Sequence, residues 1–339
     1  MPINKNLLGA LIALRNRKLR DVETLSPLFA RGAAVPKDAS GFAIVSTETA
    51  VTDLLLHSDA AVHRVFTTLP RDSPRVGKLL SLLRRRGLSE DAVSSLSPQQ
   101  LGRLSGLSTP DPFSALIEAP KRLFTYRGSF PRPDDHFPNQ SQNQTGAVVV
   151  ILDGVADPNN VGPLIRCAFA LGCSHLLLTA GSVDVLNEKV LRSSKSALYR
   201  LPLVIQQVPR AELPSLLFSA SLPLPLATYL SVAESPSSPI RDGGAPFSFA
   251  PSCQTNQVDS PHPDNVTNNP NDDQKRISFA TKVLILGNES HGIHPDTFAA
   301  FSTCPHRAAL NPMLYRLPTL MSLNVSQAGA IIMDRLIHR

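Results

Sequence analysis

The chain has 339 residues, a net charge of +6 and 42% hydrophobic residues. Its length accommodates two domains of ordinary size, and no apolar run reaches the roughly 18 residues that suggest a membrane-spanning helix. The four cysteines form neither a C-x-x-C pair nor a zinc-ligand spacing, which indicates a reducing compartment and no structural metal. The basic charge favours a polyanionic partner such as RNA, although many unrelated proteins are mildly basic.

The first 20 residues contain five basic residues and no acidic one. This composition is typical of a mitochondrial transit peptide. A basic first helix of the mature domain has the same composition. Both interpretations stay open, and with them a mitochondrial location or, otherwise, a cytoplasmic one.

Residues 1–125 predict a small α/β domain. Residues 41–58 have the pattern of a strand followed by a helix with Ala50, Leu54 and Leu55 on one face. A second strand is predicted at 62–68, and short helices with Ser or Asp at their starts follow within 81–106. Residues 126–146 are rich in Pro, Asn and Gln, which predicts a linker.

The remainder, residues 147–339, predicts a second α/β domain. Uniformly apolar strands are typical of a parallel sheet covered on both faces. Residues 235–276 are rich in Pro, Ser and Asn and poor in large apolar side chains, which predicts a disordered insertion. The strands are expected at 147–153, 175–180, 201–205, 224–230 and 282–287, and the helices at Val161–Leu171, near Glu188–Leu198 and at Leu323–His338.

The first strand of this domain runs into an unusual loop at 154–160. It lacks the G-x-G-x-x-G of a dinucleotide loop and the P-loop pattern. It has two asparagines instead, and the helix behind it carries Arg166 among small and apolar residues. With a helix beginning at Val161, Arg166 lies near a helix N-terminus, where an anion such as phosphate is favoured. A surface arginine and a turn shaped by asparagines is the alternative.

Two further stretches follow strands or precede helices. Gly287–Gly292 has the form G-x-E-x-x-G, which places Glu289 in a loop at the carboxyl end of a parallel strand, where ligands usually bind. A purely structural turn explains this stretch as well. Ser322–Ser326, S-L-N-V-S, has the chemistry of a helix start. His291 and His294 lie nearby, but nothing in the loop completes a ligand set, so we predict no metal.

In their order, these three stretches resemble the motifs of the SpoU/TrmH family of RNA 2′-O-ribose methyltransferases, in the SPOUT superfamily. The first motif, D-P-x-N-x-G-x-x-x-R, falls on Asp157 to Arg166. The resemblance covers about 147–339. Residues 181–203 and 104–120 are similar to the branch that includes mitochondrial large-subunit rRNA methyltransferases.

The resemblance implies a parallel α/β sheet with a deep trefoil knot, preceded by a small ribosomal-protein-like RNA-binding domain. It also implies a homodimer packed at the knot. No association with a membrane is expected. S-adenosylmethionine is expected in the knot, and the residues expected to line its pocket are Gly287, Leu310, Asn311, Ser322 and Leu323.

The resemblance also assigns roles in catalysis. Arg166 is expected at the RNA ribose, either as a transient base or as a clamp on the developing alkoxide, and the sequence does not choose between these roles. Asn160 is expected to shape its loop and to orient Arg166, and Asn324 to orient the neighbouring turn. Glu289 is expected to orient either loop amides or Arg166. In the N-terminal domain, Arg84, Arg85 and Arg86 are candidates for phosphate contacts, and a solvated helix face is the ordinary alternative.

The expected substrate is rRNA, of the mitochondrial large subunit, with tRNA as the alternative. Two departures from the family pattern motivate a further alternative, a catalytically inactive RNA-binding assembly factor. The third motif is extended between Leu310 and Asn324, and residues 192–198 lack the Gly-Ala pair that the branch usually has.

Overall fold

The computed structural model describes residues 3–20, 22–29, 38–120, 147–195, 197–199, 204–213, 215, 226–231, 281–302, 307–310 and 323–338. These residues form a four-stranded and a six-stranded sheet, each with its own helices. The predicted linker at 126–146 and the predicted insertion at 235–276 lie outside the described residues.

The N-terminal unit is built on a mixed sheet of order β1-β4-β2-β3. β4 runs antiparallel to both of its neighbours, and β2 and β3 are parallel. The short strand β3, which the sequence pattern did not predict, follows a 3₁₀ turn at Glu90–Ala92. The bounds are α1 Lys5–Arg15, β1 Phe42–Ser46, α2 Glu48–His57, β2 Ala61–Thr67, α3 Pro74–Arg85, β3 Val93–Ser95, α4 Pro98–Ser105 and β4 Phe113–Glu118.

Strand β1 shares its residues between two apolar cores. Ala43 and Val45 face a large core that continues into the C-terminal unit. Phe42 and Ile44 face a second core, formed with α1 and α4. The division follows from the period of two along a strand, because successive side chains point to opposite faces of the sheet.

Helix α1 is part of the folded N-terminal unit. Its apolar side chains are buried in the second core, and Leu11 is fully inaccessible. At its end, the Arg15 guanidinium donates to the carbonyls of Arg103 and Leu104, 2.8 and 3.2 Å away at the end of α4. This packing is what the interpretation of the segment as a basic first helix expects.

The C-terminal unit has six strands in the order β10-β8-β9-β5-β6-β7, and every neighbouring pair is parallel. The predicted parallel sheet is therefore confirmed. The central strands β5 and β9 are inaccessible along most of their length. The bounds are β5 Ala147–Asp153, α5 Pro158–Ala170, β6 His175–Leu178, α6 Glu188–Ser193, β7 Val204–Gln207, β8 Leu226–Ser231, β9 Thr281–Gly287, α7 Pro295–Ser302, β10 Arg307–Leu310 and α8 Val325–His338.

Two predicted helix boundaries were wrong. Helix α5 begins at Pro158 rather than Val161, because Asp157 caps it and proline suits the first helical position. Helix α6 ends at Ser193 rather than near Leu198. The hydroxyls of Ser193 and Ser194 bond to carbonyls of their own helix, and the chain then turns at Lys195 with a φ of +51°.

Close contacts at two glycines bring the helices of the C-terminal unit together. A Cβ on Gly162 of α5 would lie 1.8 Å from the Ser193 hydroxyl of α6. A Cβ on Gly329 of α8 would lie 2.5 Å from Leu164 and 2.7 Å from Leu286. Both positions require a hydrogen in place of a side chain, and α5 is thereby held between α6 and α8.

The predicted trefoil knot depends on the connection between β10 and α8. Residues 311–322 of that connection lie outside the described residues, so the knot stays a prediction. Among the described helices, none has the length and apolar character needed to cross a membrane.

Candidate active site

The three motifs converge at the carboxyl edge of the central strands. Asp153, the last residue of β5, pairs in register with Gly287, the last residue of β9. The loops that follow these two strands are therefore neighbours. Asn324, immediately ahead of α8, completes the group through a hydrogen bond to Asn160.

A chain of two amides and a carboxylate links the three motifs. The Asn324 Nδ2 donates to the Asn160 Oδ1 at 2.9 Å, and the Asn160 Nδ2 donates to the Glu289 Oε1 at 2.8 Å. The Asn324 Oδ1 accepts from the Ser326 amide at 2.9 Å, which fixes the orientation of that side-chain amide. Because a carboxylate only accepts, the orientation of the Asn160 amide is fixed as well.

The Glu289 carboxylate also holds the loop of the first motif. Its two oxygens lie 3.4 Å from the amide nitrogens of Ala156 and Asp157. Of the two roles expected for Glu289, orienting loop amides or orienting Arg166, the structure has the first. The side chain is exposed, so the carboxylate faces solvent while it holds the loop.

The G-x-E-x-x-G stretch is a tight turn in which both glycines have a steric reason. A Cβ on Gly287 would lie 2.5 Å from the Gly292 carbonyl carbon and 2.7 Å from the Ile293 nitrogen. Gly292 has a φ of +70°, which favours glycine. Asn288 and Gly292 exchange main-chain hydrogen bonds of 2.8 and 2.9 Å. The structural interpretation of this stretch is therefore confirmed, and the same turn projects Glu289.

A second network, which the sequence analysis missed, lies beneath the first and centres on Asp153. The side chain of Asp153 is completely buried. Its Oδ1 accepts from the Thr179 hydroxyl at 2.7 Å and from the Arg210 Nε at 3.1 Å, and its Oδ2 accepts from the His294 amide at 2.8 Å. The ends of β5, β6 and β7 and the start of α7 are thereby joined at one carboxylate.

The hydrogen bonds determine the charge state of Asp153. Burial alone would raise its pKa, but hydrogen bonds from Thr179, the His294 amide and Arg210 lower the pKa below the ordinary value of 3.8. Asp153 is therefore ionised at neutral pH.

A further hydrogen bond of 2.7 Å, from the Asn288 Nδ2 to the Gly154 carbonyl, ties the loops after β5 and β9 together.

Arg166 does not lie where the sequence analysis expected it. Because α5 begins at Pro158, Arg166 is the ninth of its 13 residues and not near its N-terminus. The argument from a helix N-terminus therefore does not apply to it. The side chain is exposed, and within the described part of the chain its guanidinium has no hydrogen bond or ion pair. Within one chain, Arg166 is thus separate from the group at Asn160.

The expected cofactor residues are described in part. Gly287 and Leu323 are half-buried on either side of the amide chain, next to Asn288 and Asn324 respectively. Leu310 is the last residue of β10. Asn311 and Ser322 lie outside the described residues.

The three arginines expected to contact RNA differ in their surroundings. Arg84 is exposed and pairs with Glu90, and Arg85 is exposed. The Arg86 guanidinium donates to main-chain carbonyls, including that of Ala60 at 2.7 Å. The guanidinium of Arg86 is therefore engaged in holding the chain after α2, and a phosphate contact rests on Arg84 and Arg85.

Within the described ranges, no three His, Cys, Asp or Glu side chains are grouped closely enough to hold a metal ion. His294 lies near the group only through its main-chain amide, which donates to Asp153.

Comparison with known proteins identifies the class of the C-terminal unit. Residues 147–216 match the sequence profile of the SpoU rRNA Methylase family. The chain is 40% identical over 80 residues to mitochondrial rRNA methyltransferase 3 of Xenopus laevis, which is 23% of this chain and 19% of that protein. It is 35% identical over 122 residues to a 23S rRNA guanosine 2′-O-methyltransferase of Bacillus subtilis, which is 36% of this chain and 38% of that protein.

The fold extends the likeness to nearly the whole chain. The structure superimposes on the SpoU methyltransferase AviRb of Streptomyces viridochromogenes, solved with S-adenosylmethionine, with a TM-score of 0.58 and 17% identity over 98% of this chain and 97% of that one. An S-adenosylmethionine-bound rRNA methyltransferase from Sinorhizobium meliloti gives a TM-score of 0.58 at 16% identity, over 98% of this chain and 94% of that one.

The fold is thus that of the SpoU methyltransferases. The match to the SpoU profile covers residues 147–216, which include the first of the three motifs, and it supports the resemblance that the motifs indicated. The matched segments span about a fifth of the mitochondrial relatives' length, 19% and 21% for the two frog proteins.

Proposed function

We propose that this protein transfers a methyl group from S-adenosylmethionine to a ribose 2′-hydroxyl of RNA, and that its substrate is the large-subunit rRNA of mitochondria. The observation that carries the proposal is the hydrogen-bonded chain Asn324–Asn160–Glu289, which unites three distant motifs at the carboxyl edge of a parallel sheet. Ligands bind at this edge in open α/β folds. The names of the relatives support both the reaction and the compartment.

The residues at this edge suit S-adenosylmethionine. Gly287, the last residue of β9, is half-buried, so part of its main chain is accessible to a ligand. The half-buried Leu323 offers an apolar wall for an adenine ring. When bound, this cofactor supplies an electrophilic methyl group. The chain's own residues must then position a ribose hydroxyl and help it to lose its proton, because a free hydroxyl is a poor nucleophile.

The contacts of Asn160, Glu289 and Asn324 support a division of roles. Asn160 and Glu289 keep the first loop in place, and Asn324 fixes the start of α8 against it. Arg166 acts at the ribose as a clamp for the developing negative charge. Its guanidinium is exposed and has no hydrogen bond or ion pair among the described residues. This suits a residue that reaches the site of a second subunit, so we propose a homodimer packed through the knot region and α8. Two half-buried residues of α8, Val325 and Ile331, are available for that contact.

The test of the function is a map of ribose methylation across all cellular RNA, with and without the protein. Loss of one site in mitochondrial large-subunit rRNA is expected. Loss of methylation confined to a tRNA would show that the substrate is tRNA, and the proposed reaction would still stand. Calorimetry with S-adenosylmethionine separates the enzyme from an inactive assembly factor, since an assembly factor that does not bind the cofactor gives no heat of binding.

Arg166→Ala should abolish methyl transfer and leave the affinity for S-adenosylmethionine within about threefold, because the guanidinium acts at the ribose and not at the cofactor. Arg166→Lys should restore only part of the rate, since an ammonium lacks the planar fork of a guanidinium. Radiolabelled methyl transfer and calorimetry measure the two quantities. Near-normal turnover of Arg166→Ala would assign the role at the ribose to another residue.

A further inference from the structure

Arg17 joins the N-terminal unit to the C-terminal unit. It lies in the turn after α1, and its Nε donates to the Asp184 carboxylate at 2.7 Å, just ahead of α6. Its other two nitrogens donate to the carbonyls of Ser40 and Phe42, each at 2.7 Å. One guanidinium therefore binds the main chain at the start of β1 and, across the junction, a side chain of the methylase domain.

Both partners are held in place by their surroundings. Arg17 has a φ of +58°, a conformation that a residue other than glycine adopts only when its contacts require it. Its side chain is 20% exposed. The Asp184 Oδ1 accepts from the Leu186 amide at 2.8 Å, which leaves the Oδ2 for Arg17. Both charges act on the fully buried Tyr199, whose pKa is raised by burial.

Packed helices connect this junction to the candidate active site. Helix α6 packs on β1, and its residues belong to the same apolar core as Ala43 and Val45. On its other side, α6 meets α5 at the contact between Gly162 and Ser193. Helix α5 begins with the turn that carries Asn160. The N-terminal unit is therefore connected to Asn160 through one short helix with close contacts on both sides.

We propose that Arg17 and Asp184 are positioning residues, a docking pair that fixes the N-terminal unit at one distance and orientation from the site. A folded RNA held by the N-terminal unit then presents only the ribose that lies at this distance. This inference rests on the proposed function. It explains how the protein could select its target nucleotide without a residue that reads the base, because the fixed distance between the N-terminal unit and the site selects the ribose.

Asp184→Asn is the sharpest variant, because asparagine keeps the acceptor for the Leu186 amide and turns an uncharged NH₂ donor, in place of the charged acceptor, towards Arg17. With a transcript of mitochondrial large-subunit rRNA as the probe, we expect its KM to rise about tenfold, with kcat and the Kd for S-adenosylmethionine within about twofold of wild type. Arg17→Lys, which keeps the charge and loses the fork, should raise the KM in the same way. An unchanged KM in both variants would overturn the proposal.

The matched control is Glu188→Gln. Glu188 pairs with Arg192 at 3.0 Å within α6, so this variant also removes a carboxylate ion pair from the helix but does not touch the junction. Its KM should equal that of the wild type. A rise as large as that of Asp184→Asn would show that α6, and not the docking, determines the effect.

Hydrogen exchange tests the docking without any activity. Amides in 40–46 and 184–194 should exchange faster in Asp184→Asn than in the wild type or in Glu188→Gln. Unchanged exchange in Asp184→Asn would overturn the docking even if the KM rose. If the wild-type chain transferred no methyl group, the exchange would still decide the docking, so the inference and the proposed function fail separately.

Discussion

The buried polar side chains of the site lie in chains of donors and acceptors. Asn160 and Asp153 are 4% and 1% exposed, and each polar atom of both side chains has at least one hydrogen-bond partner. Leaving one such group without a partner costs about 1–3 kcal/mol. Each of these side chains is therefore sensitive to changes that preserve its shape and alter only its donors, acceptors or charge.

Asn160→Asp is such a change. It would bring a second carboxylate to the 2.8 Å contact with Glu289 and remove the donor from that contact. Two carboxylates repel each other. We expect methyl transfer to fall by a factor of about a hundred or more, since the loop of the first motif loses its hold. An assay with a radiolabelled methyl donor measures the rate of transfer.

Gln327→Glu is the matched control for this variant. Gln327 is exposed in the first turn of α8, three residues after Asn324, so the substitution adds the same charge near the site without touching Glu289. It should retain most of the rate. Equal loss in both variants would show that added charge, and not the broken amide chain, is responsible.

Asp153→Asn tests the second network through its pH dependence. All the groups that face Asp153 donate, so an asparagine NH₂ would face a donor, and we expect a loss of about 3 kcal/mol of stability at neutral pH. The pKa of Asp153 is lower in the folded than in the unfolded chain, so its contribution is present above the ordinary pKa of 3.8 and is lost as the pH falls through the folded value.

Thermal unfolding of the wild type and of Asp153→Asn over a range of pH values checks this sign. The difference in Tm should be constant near neutral pH and should shrink below about pH 4. A difference that grew on acidification would mean that Asp153 is protonated in the native state.

Among single residues, the sequence analysis predicted those that belong to motifs in a recognisable order. It missed residues that come together only in the folded structure. Asn160, Glu289 and Asn324 were assigned through three short motifs. Asp153 was overlooked because its partners Thr179 and Arg210 lie 26 and 57 residues away, with no local pattern. A single Asp at the end of an apolar strand was the available signal, and it does not distinguish a buried network from a solvated loop.

Among the elements, α5 has the most demanding surroundings, because it is held between α6 and α8 at two glycines. Its start was misjudged since the apolar periodicity begins at Val161, whereas the cap at Asp157 and the proline after it extend the helix by a polar turn. Helix α1 was ambiguous for another reason. Its terminal Arg15 stabilises the end of α4, and a composition argument reads such an arginine as part of a targeting signal.

Gly162→Ala should separate α5 from α6. The new Cβ would meet the Ser193 hydroxyl at 1.8 Å and its Cβ at 2.8 Å, so the helices must move apart. We expect a loss of about 1–3 kcal/mol of stability, typical of overpacking, and a lower rate. Gly162→Ala with Ser193→Gly should recover part of both.

Gly77→Ala is the control for helical glycines. Gly77 lies in α3, and nothing lies within 4 Å of the position of an added Cβ. It should be neutral or stabilising by up to about 1 kcal/mol. Calorimetry measures the Tm of each glycine variant, and a methyl-transfer assay measures its rate. A Gly162→Ala protein with the Tm of the wild type would mean that α6 is free to move away from α5.

Over the whole molecule, the two sheets share one of the two apolar cores. The core on the Ala43 and Val45 face of β1 continues through α6 into the parallel sheet. Sequence separated the chain into two domains by composition and periodicity, and both patterns report local structure. They carry no information on which faces of the two sheets meet, because an apolar face looks the same whichever partner covers it.

A shared core predicts cooperative unfolding. We expect one calorimetric transition for the whole chain, with equal calorimetric and van't Hoff enthalpies, rather than one transition for each sheet. Two resolved transitions would show that the junction at α6 is too weak to couple the units. Asp184→Asn, which weakens that junction, is the variant in which a second transition should first become visible.

The double use of β1 restricts how this protein can exchange parts with its relatives. An N-terminal unit grafted from another methyltransferase must supply small side chains where Ala43 and Val45 meet the core, and an arginine placed to reach Asp184. Chimaeras cut between the two sheets should therefore fail more often than chimaeras in which the α6 residues that meet β1 are also taken from the relative that supplies the N-terminal unit. In recombination between relatives, we expect α6 to behave as a part of the N-terminal unit, although it lies inside the methylase sequence.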